Sequence, residues 1–379
     1  MKPRDVRTGV VGPVETRTVA IPVSLFIRGL QLVERGRFDT FDSAVAAGLE
    51  LLTRSGTASP NARRVARTSH SQGVHSGPHA GPSRVADAAA IPSRLPHVQS
   101  GTVPTSDRGS TARSAWPILG FTASRLLPMK AVLRGIAEMA AGQSSPMLDL
   151  EALRSSLGAE AIGWRAALEA VDDQRRISRG ERLATGFPSF ARDGERSVRR
   201  FMDTYLGTLY SDGRAAGAPA YLGFVDMEMD EHGGRVGLTP SGLRFAQLPN
   251  GVLDVGEARF PPFGAEETGF FVRHLAGTHL AEAEHVGEYL VLLTERPGVQ
   301  RDAACSAMRR FYVRFWAPND LTADMVNSMR MSVHSRCQEL GLAVAEHEGR
   351  SAGYRITELG ARTLGLLQSL KSTPGEAET

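Results

Sequence analysis

The chain has 379 residues with 44 Lys+Arg against 41 Asp+Glu, long enough for two or three domains that each bury a core of their own. The near balance hides an uneven spread: residues 1–54 carry 8 basic and 6 acidic side chains, residues 55–115 carry 7 and 2, and residues 116–379 carry 29 and 33. No stretch approaches the roughly 20 apolar residues of a membrane span and no charged start leads into a signal-length apolar run, so the expectation is a protein of the cytoplasm and nucleoid with no membrane partner.

Residues 1–13 are expected to form a flexible start. Thr16-Arg-Thr-Val-Ala-Ile21 then alternates polar or small residues with β-branched ones and meets Pro22, which cannot continue a strand ladder but suits a helix start. Leu25, Phe26, Leu30 and Val33 give helical spacing as far as Gly36. Asp39 or Thr40 can cap a second helix whose Phe41, Ala44, Val45, Gly48, Leu49 and Leu52 share one face. One strand and two short helices cannot close a core. A partner chain solves this by pairing two strands antiparallel over four helices, and the two-stranded ribbon fits a DNA major groove.

These residues resemble the ribbon-helix-helix repressors, specifically the ParD-type antitoxins. The closest stretch is Val33-Glu-Arg-Gly-Arg-Phe-Asp-Thr-Phe-Asp-Ser-Ala-Val-Ala-Ala-Gly-Leu-Glu-Leu-Leu52, within a likeness that covers residues 14–54. The resemblance implies an obligate homodimer on double-stranded DNA. It implies base reading by Thr16, Thr18 and Ala20, with Arg17 beside them as a phosphate contact, and phosphate binding at the helix start formed by Thr40, Phe41 and Asp42.

From Ser55 to about Ala115 the chain is rich in Ser, Gly, Pro, His and Arg and shows no apolar period, which predicts a disordered tether. Beyond Trp116 two blocks follow, residues 116–265 and 266–371, each running helix, helix, helix, hairpin, helix, before a short tail at 372–379. In the first, the three helices are predicted at Met129–Ala141, Leu148–Leu157 and Ala161–Val171, and a longer charged helix at Glu195–Tyr210 is added before the hairpin. A hairpin from Tyr221 turning at Glu231–Gly234 and a helix from Ser241 complete it. In the second, helices are predicted at Val286–Thr294, Gln300–Trp316 and Thr322–Leu340, with a hairpin over Ala343–Thr357 and a closing helix to Leu370. Leu238-Thr-Pro-Ser-Gly242 and Ile356-Thr-Glu-Leu-Gly360 repeat one theme, and each Thr can cap the helix after its strand.

This order of elements resembles tandem winged-helix domains, which implies DNA contact through each third helix and hairpin. In the second block Arg309, Arg310, Arg330 and Arg336, with Arg314 and His334, form the expected basic face; the third helix of the first block offers only Arg165 among Glu169, Asp172 and Asp173. The acidic balance of residues 116–371 supports the other use of such a surface, docking a protein partner.

No catalytic constellation is found, so no enzyme is expected. His274, His279 and His285 are spaced by five and six residues, off one helical face, and read as a surface helix rather than a metal site. Cys305 and Cys337 lack a CxxC partner, and Glu231-His-Gly-Gly-Arg lacks phosphate-loop spacing; no cofactor or metal is expected. The fold class is therefore mainly α with short β. The expected function is a DNA-binding regulator of a bacterial operon or mobile element, or alternatively an antitoxin-like adaptor whose C-terminal half holds a toxin, partition or phage-defence protein.

Overall fold

In this computed structural model the described residues are 95–96, 102–106, 117–120, 123–175, 179–348 and 351–372. They belong to one compact unit, Arg84–Thr379. Residues 14–54, expected to form a ribbon-helix-helix, lie outside them. The described architecture is mainly helical with a few short strands, and no described helix is long and apolar enough to cross a membrane.

The first helix, α1 (Leu127–Ala140), is buried on nearly every side, Lys130 and Arg134 included. A helix without a wet face must sit at the centre, and its two cations must find partners there. Lys130 Nζ donates to Phe245 O at 2.7 Å and Leu248 O at 2.9 Å and pairs with Glu267 at 2.9 Å, while Arg134 pairs with Asp254 and donates to Ala246 O and Leu248 O. Burial pushes the Lys130 ammonium down to about 8.

Next come β1 (Leu148–Asp149), α2 (Leu150–Arg175) and α3 (Phe190–Tyr205). The two helices expected at Leu148–Leu157 and Ala161–Val171 are thus one continuous α2. Gly158 does not break it; a Cβ at Gly158 would press on Val198, so the glycine lets α3 approach closely. The helix expected at Glu195–Tyr210 begins and ends earlier, and its last residues become β2 (Thr208–Leu209), paired with β3 (Ala215–Ala216).

A four-residue helix, α4 (Ala218–Tyr221), leads into the hairpin β4 (Val225–Asp230) and β5 (Gly233–Leu238). The expected hairpin is present, but it starts at Val225 rather than Tyr221. β1 adds to its edge, giving the sheet order β1-β5-β4. Helices α5 (Pro240–Gln247), α6 (Gly251–Val255), α7 (Ala265–Thr278), α8 (Leu280–Glu295), α9 (Arg301–Tyr312) and α10 (Ala323–Glu339) follow, then the hairpin β6 (Ala343–Glu348) and β7 (Ser351–Ile356), and finally α11 (Glu358–Ser372).

The repeated sequence theme is a repeated structure. Gly223 and Gly341 both leave a helix with positive φ, +62° and +68°, a conformation that L side chains resist. Thr239 and Thr357 each donate a hydroxyl back to that glycine's carbonyl, at 2.7 and 2.6 Å, and accept from the amide of Gly242 or Gly360, at 3.1 and 3.0 Å. Gly242 and Gly360 in turn press against the carbonyls of Phe224 and Leu342, where a Cβ would collide. Every corresponding pair in the two modules is 118 residues apart, from Gly223 and Gly341 to Thr239 and Thr357.

The two blocks share their interior. Leu119 N donates to Glu282, the amides of Leu126 and Leu127 donate to Glu339, and Arg336 donates to Ala123 O at 2.7 Å. Part of the expected tether is built in as well. Val103 and Ser106 are buried, Ser106 N donates to Leu238 O and Arg134 donates to Pro96 O. Residues inside the expected 55–115 tether thus pack on the body, Val103 within its apolar core and Leu95 against it.

Candidate nucleic-acid interface

α10 takes its place because Val326, Met329, Val333, Cys337 and Leu340 recur at helical spacing and are all buried. Thr322 caps its start by accepting from Met325 N. The polar positions of α10 are mostly buried too: Arg330 shares the apolar face, and Ser332, His334, Arg336, Gln338 and Glu339 around it also lie inside. Its exposed positions include Asp324, Ser328 and Met331. The helix expected to read DNA is a core helix, and those exposed residues offer no cation to phosphate.

The reason is a set of buried carboxylates that the sequence does not connect to their arginines. Glu282 of α8 pairs with Arg336 at 2.6 Å and lies 3.5 Å from His285, whose other ring nitrogen meets Tyr312 Oη at 2.9 Å. Burial pushes the Glu282 carboxyl upward, but Arg336 and His285 outweigh it and hold the group at about 2. Glu339 pairs with Arg125 at 3.5 Å, and there burial wins, raising its pKa. His334 meets Tyr289 Oη at 2.7 Å; burial, then the nearby Arg330 charge, push it down to about 3, so it stays neutral.

The predicted site residues therefore separate. Thr16, Arg17, Thr18, Ala20, Thr40, Phe41 and Asp42 lie outside the described residues. Arg330 and Arg336, with side chains 0% and 1% exposed, are corrected from a basic face to the interior. Arg309 is half-buried and ties down the following loop through Leu321 O at 2.7 Å and Pro318 O at 2.8 Å. Arg310 is exposed and lines a groove of about 220 Å³ between α8 and α9, with Arg296 and Arg314 and with Glu288 and Glu295. Arg314 closes one end by pairing with Glu284 at 2.7 Å. A sequence signal for this groove existed in the four-residue spacing of Glu284 with Glu288 and of Arg310 with Arg314, but their apposition needs the turn between the helices.

The first hairpin is no stronger an anion binder. Arg235 is held by Asp230 at 2.9 Å, and the amide of His232 together with Arg235 keeps the Asp230 carboxyl below its ordinary range. The histidines expected on a surface helix are distributed otherwise. His279 sits at the break between α7 and α8, His274 Nε2 meets Leu222 O at 2.7 Å, and His285 is fully buried. Among the described residues no three metal-binding side chains converge. The Cys337 thiol is buried and pushed up to about 12, which removes it as a nucleophile at neutral pH.

Compared with known proteins, the chain matches no family model, no curated protein and no solved structure.

Proposed function

We propose that this is a dimeric DNA-binding regulator whose amino-terminal ribbon-helix-helix reads an operator and whose carboxyl-terminal body, a tandem winged-helix arrangement, docks a protein instead of reading DNA. The reading rests first on residues 16–52, where strand, caps and helical faces agree on a ribbon dimer. The duplicated helix–hairpin–helix modules support the winged-helix assignment. The single observation that favours docking over DNA reading by the body is the burial of Arg330 and Arg336, since phosphate attraction supplies a large share of affinity for DNA. The antitoxin-like adaptor reading shares this docking body and differs only in making the partner, not the operator, the purpose of the chain.

The test is fluorescence anisotropy of the full chain on DNA from upstream of its own gene, across a salt series. Arg17→Ala combined with Thr18→Ala is expected to abolish sequence preference, whereas Arg310→Ala leaves affinity and salt slope as they were. An unchanged preference in the first variant, or a loss in the second, overturns the division of labour.

A further inference from the structure

The groove between α8 and α9 has two walls of opposite charge over an apolar floor. The α8 wall presents Glu288 and Glu295 and the α9 side presents Arg310 and Arg314, with Arg296 at the turn; Val291, Leu292, Met308 and Phe311 lie between them. The helices run back past one another, which puts Tyr312 against His285 and Arg314 against Glu284. One helical turn further along both helices stand Glu288 and Arg310, which repeat the charges of the closed Glu284–Arg314 rung. That second rung is open. Both side chains are exposed, and among the described residues neither is in ion-pair contact with an opposite charge.

We infer that this groove is a binding site for a free zwitterionic amino acid with an apolar side chain, held by Glu288 at its ammonium and Arg310 at its carboxylate. The charges demand both groups. An anion alone would meet Glu288 and Glu295, and a cation alone would meet Arg310 and Arg296, so like-charge repulsion rejects ligands with a single sign. The guanidinium suits a carboxylate because its donors form a planar fork that matches the two oxygens. Arg314 cannot take that role as readily, being engaged by Glu284 and lying over the rings of Phe311 and Phe315 at 5.3 and 5.7 Å. It instead stops the groove at that end. The walls of the groove are mostly polar, and the smaller apolar share at its base, from Val291, Leu292, Met308 and Phe311, accommodates an aliphatic or aromatic side chain. A volume of about 220 Å³ holds roughly seven waters, which suits an amino acid and falls short of the roughly 300–1,000 Å³ of cavities for larger ligands.

The inference concerns the body alone and stands or falls apart from DNA binding. The experiment is calorimetric titration of the full-length chain with leucine, methionine and phenylalanine, and with N-acetyl-phenylalanine and phenylalanine amide, which each lack one charge. At least one of the three amino acids is expected to bind, and where phenylalanine does, each blocked derivative binds about tenfold or more weakly. Glu288→Gln and Arg310→Gln are each expected to weaken the zwitterion by a similar factor while the melting temperature without ligand stays unchanged, because both side chains are exposed. Absence of heat with all three amino acids overturns the assignment. Equal binding of a blocked derivative, or undiminished binding by both variants, overturns it too.

Discussion

The two helix–hairpin–helix modules of this protein share a hinge and differ in the helix that leads into it. In the first, α4 has four residues before Gly223; in the second, α10 has 17 before Gly341. After the glycine the modules match bond for bond, through Thr239 and Thr357 and the close approach of Gly242 and Gly360. The hinge is thus a self-contained device that sets the angle between a strand pair and the next helix, whatever precedes it. The leading helix is free to be a stub or the centre of a core, and in neither form does it stand out as a reading head.

The largest effect tests the second half of that contrast. Replacing Arg336 with Met leaves Glu282 as a buried charge without its main partner, a loss of about 3–5 kcal/mol. Urea denaturation of Arg336→Met is the measurement. A variant that keeps its stability but loses DNA affinity would return α10 to the role of reader and erase the difference between the modules.

The hinges themselves come next. Gly242→Ala and Gly360→Ala each force a Cβ onto a backbone carbonyl, where neither side can rotate away. A cost of about 3 kcal/mol is expected for each, the upper end of overpacking penalties. Similar losses sharpen the equivalence; a large loss at one and none at the other would show that only one hinge is under constraint.

Acid separates the modules differently, because the buried histidines 285 and 334 lie in the second block. His334 is held at about 3 by burial and then Arg330, while its unfolded value is near 6.5. Above pH 6.5 neither state binds the proton and nothing is lost. As pH falls from 6.5 toward 3 the unfolded chain takes up a proton that the folded chain refuses, so stability falls by up to about 1.4 kcal/mol per pH unit. His285 is shifted the same way, first by burial. Glu339, raised by burial, works in the opposite direction, and Glu282 adds its loss only below about 4.5. Between pH 6.5 and 5, His334→Asn is expected to flatten the fall in urea midpoint; an identical slope would remove His334 as its cause.

Much of the local structure was legible beforehand. The hairpins, the helices after them and the Thr caps follow from alternation, glycine position and capping chemistry, all of which act over a few residues. The site was not. Arg309, Arg310, Arg330 and Arg336 look alike in sequence, and what sorts them is the partner each one meets or lacks: loop carbonyls for Arg309, Asn327 and the Tyr354 ring for Arg330, and for Arg336 the carboxylate of Glu282, 54 residues away. Burial of a charged residue depends on that distant partner, so a basic count on one helix cannot tell a phosphate-binding face from a set of interior ion pairs. The role of Gly158 is likewise set at a distance, by Val198 on another helix.

The smallest predicted effect is the most discriminating between the two hinges. Thr239→Val and Thr357→Val keep the shape of the side chain and remove one donor and one acceptor, with an expected cost of about 1–2 kcal/mol each. They should not be equal. Pro240 follows Thr239 with its φ already fixed for a helix start, whereas Glu358 follows Thr357 and must be held there by the cap. The Thr357 variant should therefore lose more, with fraying of α11 visible in amide exchange at Gly360 and Ala361. If the two hinges are independent, the double variant costs the sum of the singles within about 0.5 kcal/mol. A larger departure would mean that the modules, although 118 residues apart in sequence, set each other's angle through the interior they share.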